Sequence, residues 1–268
     1  MLDVILNSPI LLPCEAVGSP RPKITWQKEG VSVNTTGDSY TILPSGSLQI
    51  AKAAAEDAGT YICVAQNPAG TALGKIKLKI QVPPAIRSHP EEYVVVLDKP
   101  ATLLCEADGY PAPEIVWHKD GQQVTESMRQ RILSMGSLQI AFAHPSDTGR
   151  YTCTATNVAG ASSSSMELTV LVPPKIRSTE AHYTVAENAQ VVLPCVADGM
   201  PTPSMNWKKE GQFLMSMVGK YTALSYGDLI VDNAVPEDSG SYTCIASNVA
   251  GEDTHTVNLT VHCAANLY

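Results

Sequence analysis

The sequence has few aromatic residues and no long apolar run. Of its 268 residues, two are Phe and three are Trp, too few to fill one large enzyme core. No stretch approaches the roughly 18–20 consecutive apolar residues of a membrane-spanning helix. The formal net charge is −8, which disfavours nucleic acid as a partner because affinity for phosphates comes from Lys and Arg. We therefore expect neither nucleic-acid binding nor membrane insertion.

Motifs for metal binding and catalysis are also missing. The six histidines are scattered, and the sequence contains no His-x-x-x-His or Cys-x-x-Cys pair. It has no Gly-x-Ser-x-Gly nucleophile elbow and no phosphate-cradling glycine loop. The sequence therefore predicts a protein that is not an enzyme, with no catalytic residue, metal, cofactor or small-molecule substrate.

What the sequence does contain is one pattern repeated three times. In each copy a Trp follows the first Cys by twelve residues, and a Tyr precedes the second Cys by two. The two cysteines are separated by 49, 48 and 49 residues. The three sets are Cys14, Trp26, Tyr61 and Cys63; Cys105, Trp117, Tyr151 and Cys153; and Cys195, Trp207, Tyr242 and Cys244.

Three shorter motifs repeat with the same period. Asp-x-Gly precedes each Tyr, Asn-x-Ala-Gly follows each second Cys, and Gly-x-Pro-x-Pro lies before each Trp. The period predicts domain 1 at residues 1–82, domain 2 at 83–172 and domain 3 at 173–262, followed by a divergent tail at 263–268. The aspartates of the first motif are Asp57, Asp147 and Asp238.

These motifs resemble the immunoglobulin superfamily, and in particular its I-set branch, over nearly the whole chain. The resemblance implies three tandem β-sandwiches, each with an intradomain disulfide (Cys14–Cys63, Cys105–Cys153 and Cys195–Cys244). It also implies that a Trp packs on each disulfide and that each Tyr forms a corner, with its hydroxyl bonded to an upstream backbone carbonyl. The Gly-Ser-Leu-Gln-Ile runs at 46–50 and 136–140 are similar to those in long arrays of secreted matrix proteins, and domain 3 departs from them at 227–231.

Hydrophobic periodicity independently predicts an all-β fold. Apolar residues alternate into the first cysteine of each domain, as in Ile10, Leu12 and Cys14, which is typical of a strand with one buried face. Val82 and Val172 are each followed directly by Pro-Pro. Because Pro-Pro favours an extended backbone, we expect the domains to form a semi-rigid, extended array.

Both ends of the chain differ from the internal repeats. Cys14 has thirteen residues before it, whereas Pro83 and Pro173 lie 22 residues before their cysteines. We therefore expect the first strand of domain 1 to be truncated. The third joint reads Cys263-Ala264-Ala265 in place of Val-Pro-Pro, and we interpret Cys263 as an unpaired thiol left by truncation, with an intermolecular bond as the alternative.

Two further patterns have a conventional and a functional interpretation. Asp147-Thr148-Gly149 and Asp238-Ser239-Gly240 match the aspartic-protease tripeptide, but each runs into Tyr-x-Cys, which favours the tyrosine corner. Lysines 75, 77 and 79 alternate with apolar residues on the last strand of domain 1. This stripe is typical of a charged face that protects a sheet edge, with a glycosaminoglycan contact as the alternative.

Two candidate surface features remain. Asn34 and Asn258 begin Asn-x-Thr sequons and are predicted glycosylation sites. Phe213, Met215 and Met217 follow Trp207 where domain 1 has polar residues. They predict either a partner or self-association edge, or simple local packing.

Together these features predict a secreted segment of the extracellular matrix or basement membrane that acts as a spacer and as a protein-binding surface in cell adhesion. Its partners would be matrix components, cell-surface proteins or further copies of itself. Two alternatives stay open: the ectodomain of a neural-type adhesion receptor, and a cytoplasmic muscle-type I-set array. Three complete cysteine pairs disfavour the second, because reducing compartments do not sustain disulfides.

Overall fold

The computed structural model describes residues 1–177, 180–215 and 219–265. Those residues form strands and short 3₁₀ turns arranged as three β-sandwiches in an extended array, so the all-β prediction is confirmed. The 3₁₀ turns are Ala55–Asp57, Pro145–Asp147 and Pro236–Asp238.

Domain 1 consists of a large and a small sheet. The large sheet has the strand order β1-β8-β7-β3-β4, with β1 parallel to β8, and the small sheet has the order β2-β6-β5. The strands are β1 (Leu2–Ile5), β2 (Ile10–Leu12), β3 (Lys23–Lys28), β4 (Val31–Ser32), β5 (Tyr40–Ile42), β6 (Leu48–Ile50), β7 (Gly59–Asn67) and β8 (Gly70–Ile86).

Domain 2 repeats this arrangement. Its large sheet has the order β13-β12-β16-β17 with β9 parallel to β17, and its small sheet has the order β10-β15-β14. The strands are β9 (Glu92–Val96), β10 (Ala101–Leu103), β11 (Ala107–Tyr110), β12 (Glu114–Lys119), β13 (Gln122–Gln123), β14 (Gln130–Ile132), β15 (Leu138–Ile140), β16 (Gly149–Asn157) and β17 (Gly160–Ile176).

Domain 3 has the same two sheets, with orders β18-β26-β25-β21-β22 and β19-β24-β23. The strands are β18 (His182–Ala186), β19 (Val191–Leu193), β20 (Ala197–Met200), β21 (Ser204–Lys209), β22 (Gln212–Phe213), β23 (Tyr221–Ala223), β24 (Leu229–Val231), β25 (Gly240–Asn248) and β26 (Gly251–His262).

The domains are joined by uninterrupted strands. β8 and β17 each run for 17 residues through a Val-Pro-Pro joint. Their ends pair with β11 of domain 2 and β20 of domain 3, so one strand belongs to two consecutive domains. The domain boundaries inferred from the repeat therefore remain predictions, because the structure has no break at either joint.

Each sandwich has its own apolar core, built from alternate strand positions. In domain 2 the core contains Leu103, Trp117, Leu138, Tyr151 and Leu168, none more than 1% exposed. The corresponding positions fill the cores of domains 1 and 3. This repetition explains how three Trp residues are enough for a chain of this length.

Candidate functional site

The centre of each sandwich combines a disulfide with a buried Trp. The structure pairs the six cysteines within domains, with Cα–Cα distances of 6.4, 6.5 and 6.5 Å. The indole N–H of Trp117 donates to the carbonyl oxygen of Gly136 at 2.7 Å, and Trp26 and Trp207 make the same bond to Gly46 and Gly227. The glycine is needed because a Cβ at Gly136 would lie 2.8 Å from the oxygen of Cys105, at a φ of +102°.

The residue after that glycine bonds to the first cysteine of the domain. The Ser137 hydroxyl accepts the backbone N–H of Cys105 at 3.1 Å, and Ser47 does the same for Cys14. In domain 3 the carboxylate of Asp228 accepts the N–H of Cys195 at 2.9 Å. The departure of domain 3 from the Gly-Ser pattern therefore preserves the bond with a different acceptor.

A buried tyrosine closes the corner of each domain. The Tyr61, Tyr151 and Tyr242 hydroxyls donate to the backbone oxygens of Asp57, Asp147 and Asp238 at 2.7, 2.8 and 2.8 Å. Burial, together with nearby negative charge, raises the pKa of each phenol above its ordinary value. The three aspartates lie in three separate domains, so they do not form the shared cleft that the protease tripeptide requires.

The corner carboxylates are held by a tyrosine, a basic residue or both. Asp57 accepts the Tyr40 hydroxyl, and Asp147 accepts a pair of bonds from the Arg129 guanidinium. Asp238 accepts the Tyr221 hydroxyl at 2.8 Å and also contacts Lys220. Burial acts to raise the pKa of Asp147, but the Arg129 and His144 hydrogen bonds outweigh it and hold that pKa below its usual value. The sequence motif identified these aspartates, but not the basic partners Arg129 and Lys220, which lie 18 residues earlier and directly before strands β14 and β23.

Acidification is expected to destabilise domain 2 through this pair. Because the folded pKa of Asp147 is lowered, its stabilising contribution is present above the unfolded pKa of about 3.9 and is lost as the pH falls through the folded value. Arg129→Met should therefore flatten the dependence of the unfolding temperature of domain 2 on pH, measured by calorimetry between pH 7 and 2.5. The exposed neighbour Arg131 supplies the control Arg131→Met, and equal pH slopes for the two variants would contradict this assignment.

An asparagine side chain locks each of the two joints. Asn157 Nδ2 donates to the Pro111 oxygen of its own domain at 2.9 Å and to the oxygen of Val82, the last residue of predicted domain 1, at 2.8 Å. Its Oδ1 accepts the backbone N–H of Ala159 at 2.9 Å. Both amide hydrogens are thus used, one of them to hold the incoming strand.

The second joint repeats the first. Asn248 Nδ2 donates to the oxygens of Pro201 and Val172 at 2.9 Å each. Gly109 and Gly199 keep the space free, since a Cβ there would lie 3.2 Å from the Nδ2 of Asn157 or Asn248. The Asn-x-Ala-Gly and Gly-x-Pro-x-Pro motifs therefore act together in the joints.

The outward face of the large sheet differs among the domains. In domain 1, Val64 pairs with Leu73 and Ile62 pairs with Lys75, and Leu73 is 70% exposed. At the same positions domain 2 has hydroxyl pairs, Thr154–Ser163 at 2.9 Å and Thr152–Ser165 at 3.0 Å. We call the domain 1 surface formed by Ile62, Val64, Leu73, Lys75 and Lys77 the domain 1 face.

The suspected partner edge of domain 3 is only partly described. Phe213 is 64% exposed with the Lys208 ammonium 4.4 Å from its ring centre, and Met215 is 84% exposed. Leu214 between them packs on the domain 3 core. Met217 lies outside the described residues, so the partner edge remains a prediction.

The two sequon asparagines and the seventh cysteine lie on the surface. Asn34 Oδ1 accepts the backbone N–H and the hydroxyl of Thr36 at 2.9 and 2.6 Å, and Asn258 is exposed on β26. Cys263 is a free, exposed thiol, and the cost of desolvating the thiolate and the nearby Glu187 raise its pKa. Glycan occupancy and the origin of Cys263 stay predictions.

Neither a metal-binding cluster nor a membrane-spanning helix occurs among the described residues. In residues 1–177, 180–215 and 219–265, no group of three His, Cys, Asp or Glu side chains is arranged to hold a metal ion. Within the same ranges, the protein has no helix with the length and apolarity needed to cross a membrane.

Comparison with known proteins places the fold in a family. The immunoglobulin I-set domain family matches residues 84–170, and the immunoglobulin domain family matches residues 1–67 and 173–248. Human hemicentin-1 is 68% identical over 97% of this chain, and mouse hemicentin-1 is 66% identical over the same share. The chain spans only 5% of the length of either relative.

More distant relatives share the array. Human Roundabout homolog 1 is 34% identical over 97% of this chain, which spans 16% of that protein. Among solved structures, the I-band fragment I67–I69 of titin has a TM-score of 0.79 at 29% identity, covering 98% of this chain and 95% of the titin fragment.

Proposed function

The chain belongs to the immunoglobulin domain family as an array of I-set repeats, and from this premise we propose that it is a non-enzymatic spacer and protein-binding segment of the extracellular matrix. The joints are the observation that carries the spacer role. One strand serves two domains at each joint, and an asparagine of the second domain holds the last carbonyl of the first. Such joints favour an array that keeps its length under load.

An extracellular location is supported by the cysteines and by the relatives. Three disulfides are compatible with an oxidising compartment, where such bonds persist. The 68% identity to hemicentin-1, which belongs to the class of secreted matrix proteins that the repeats resemble, favours a matrix and basement-membrane role over a receptor or muscle array. The partners that fit are matrix or cell-surface proteins.

Loss of the joint asparagines is expected to loosen the array. In a variant carrying Asn157→Ala and Asn248→Ala, the oxygens of Val82 and Val172 lose their amide donors. Each bond contributes about 1 kcal/mol, enough to broaden the distribution of angles between domains. Small-angle X-ray scattering should therefore give a shorter mean maximum dimension and a wider ensemble than for the unchanged chain.

The matched control is Asn67→Ala. Asn67 occupies the same turn in domain 1 and donates to its own Pro20 oxygen at 3.0 Å, but it takes no part in a joint between the three domains. Its loss should leave the scattering profile unchanged. A spacer role based on these joints is wrong if the double variant scatters like the Asn67→Ala control.

We place the protein-binding surface on the domain 1 face. An exposed Leu with two apolar neighbours and a lysine row offers both apolar contact and positive charge. Domain 2 offers hydroxyl pairs at these positions, and domain 3 has Asn258, a predicted glycan site, where domain 1 has Lys77. Among the three domains, this face of domain 1 is the best suited to bury apolar area against a protein.

Grafting residues of domain 2 onto domain 1 tests this assignment. Ile62→Thr, Val64→Thr and Leu73→Ser introduce side chains that the same fold already carries in domain 2, so folding should be retained. The graft should abolish capture of protein partners from a matrix extract, quantified by mass spectrometry. Thr243→Ser with Thr256→Ser on domain 3 is the control that should capture normally, and equal capture by the graft would remove the domain 1 face from the proposal.

A further inference from the structure

A cleft opens at the first joint, where the end of domain 1 meets domain 2. Its volume is about 650 Å³, which lies within the usual range for a binding pocket. Tyr110 forms the domain 2 side of the cleft, where it pairs with Val82 across the joint and is 52% exposed. We call this space the first-joint cleft, and its main lining residues are Ala55, Ala58, Lys77, Lys79, Val82 and Tyr110.

Two alanines provide the space in the cleft. Ala55 begins the 3₁₀ turn before β7, Ala58 follows that turn, and both are exposed. The same positions carry larger side chains in the other domains: Pro145 and Thr148 in domain 2, and Pro236 and Ser239 in domain 3. The space at the first joint therefore follows from the sequence of domain 1 rather than from the fold that the three domains share.

The cleft also contains a backbone donor that lacks its usual acceptor. In the other domains the N–H at this position of the last strand donates to a hydroxyl at 3.0 Å: Val170 to Thr148, and Val261 to Ser239. The corresponding residue of domain 1 is Ile80, which lines the cleft. Because Ala58 has no hydroxyl, the N–H of Ile80 has no side-chain acceptor among the described residues, and it is available to an oxygen of a ligand.

The charge of the cleft is positive. Lys77 and Lys79 line it, and none of its lining residues is acidic. Neither lysine takes part in an ion pair within the described ranges, although Asp3 stands opposite Lys79 on β1. The carboxylate of Glu29 is engaged elsewhere, since it accepts a backbone N–H of β7 at 2.6 Å. In domain 2 the positions of the two lysines hold Glu167 and Thr169.

We propose that the first-joint cleft binds an acidic peptide segment of a protein partner, in which an apolar side chain lies between two carboxylates. Lys77 and Lys79 are two residues apart on a strand, which places them about 7 Å apart, and carboxylates two residues apart on an extended peptide have the same spacing. The carboxylates of the peptide face these lysines, and its apolar side chain lies against Ala55 and Ala58. One of its oxygens accepts the N–H of Ile80.

The apolar part of the lining favours a peptide over a sulfated polysaccharide, because a polysaccharide has no apolar side chain to cover the alanines. This site goes beyond the domain 1 face, with which it shares Lys77.

A nuclear magnetic resonance titration of the full chain with the blocked peptide Gly-Glu-Leu-Glu-Gly tests the proposal. The amide signals of Ile80 and Ala58 should shift most. Replacing the leucine of the peptide with glycine, or both of its glutamates with glutamine, should weaken binding about tenfold, because each change removes one kind of contact. The proposal is overturned if the peptide without leucine or the peptide without carboxylates binds as well as the original.

Side chains of domain 2 provide the matched variant of the cleft. Ala55→Pro with Ala58→Thr fills the space and gives Ile80 the hydroxyl acceptor that Val170 has. Domain 2 carries both side chains in the same fold, so the unfolding temperature of domain 1 should not fall, whereas the peptide should bind about tenfold more weakly. Unchanged binding to this folded variant would show that the peptide does not occupy the cleft.

The charge requirement has its own control. Lys77→Gln with Lys79→Gln should weaken binding, whereas Lys52→Gln with Lys99→Gln should not, because it removes the same charge from exposed positions outside the cleft. Equal weakening by the two variants would mean unspecific attraction and would overturn the proposal.

A heparin oligosaccharide separates the other class of anionic occupant. If it shifts the Ile80 signal and displaces the peptide, the cleft is a polysaccharide site and the peptide assignment is wrong. The Ala55→Pro, Ala58→Thr variant retains every residue of the domain 1 face, so the two binding sites can fail independently. None of these outcomes depends on the angles between domains that test the spacer role.

Discussion

Removing the disulfide of domain 2 with Cys105→Ala and Cys153→Ala is expected to lower the free energy of unfolding of that domain by about 4 kcal/mol. The bond closes a loop of 48 residues, and the chain-entropy model gives about this value for a loop of that length. A small domain has about 5–15 kcal/mol of stability in all, so domain 2 should be only marginally folded. Amide hydrogen exchange, measured separately for peptides of each domain, shows whether the loss of stability is confined to domain 2.

Cys263→Ser is the control for this change, because Cys263 forms no intradomain bond. It should alter stability by less than about 0.5 kcal/mol, as most surface substitutions do. If the double alanine variant were as stable as Cys263→Ser, the disulfide would not be a main support of the sandwich.

Trp117→Ala is expected to cost domain 2 about 3–5 kcal/mol, the range for removing a large aromatic side chain from a core. Trp117 is completely buried at the centre of the domain, and its indole N–H donates to Gly136 at 2.7 Å. Chemical denaturation, monitored by the hydrogen exchange of domain 2 peptides, measures this loss of stability.

Trp117→Phe separates the hydrogen bond from the packing. The ring is largely retained but the Gly136 oxygen loses its donor, so the cost should be smaller, about 1–3 kcal/mol. Phe142, which is 55% exposed, provides the surface control Phe142→Ala. A Trp117→Ala variant that loses no more stability than Phe142→Ala would show that the tryptophan is not a core residue.

Much of the fold could be predicted because the chain repeats its pattern. Alternation of apolar residues predicts strands, and the recurrence of Trp26, Trp117 and Trp207 at nearly equal intervals predicts three cores. The family resemblance supplied the disulfide pairs and the tyrosine corner. These features depend on residue types that recur in each copy at fixed distances.

The parts that could not be predicted depend on contacts between distant residues. The Asn-x-Ala-Gly motif was visible, but nothing in one sequence indicates that Asn157 reaches Val82, 75 residues earlier. The sequence also does not indicate that Arg129 binds the carboxylate of Asp147. Nor does it indicate that Tyr40 and Lys220 contact the corresponding corner carboxylates of domains 1 and 3. Asp228 replaces the serine of the motif and still accepts the backbone N–H of Cys195, a substitution of one acceptor for another that the sequence alone does not indicate.

The exposed surface was the least predictable part. The lysine stripe of domain 1 was recognised from alternation, but the apolar patch beside it was not. It arises because Val64 and Leu73 are paired across β7 and β8, a register that a single sequence does not reveal. Comparing the outward residues of the three repeats at equal strand positions would have found it.

Residual dipolar couplings of domains 2 and 3 in the full, unchanged chain test the central claim most directly. If the strand and the Asn248 bond hold the joint, both domains share one alignment tensor of equal magnitude and fixed relative orientation. Unequal magnitudes for the two domains would mean independent motion, and would contradict the account of this chain as a semi-rigid spacer.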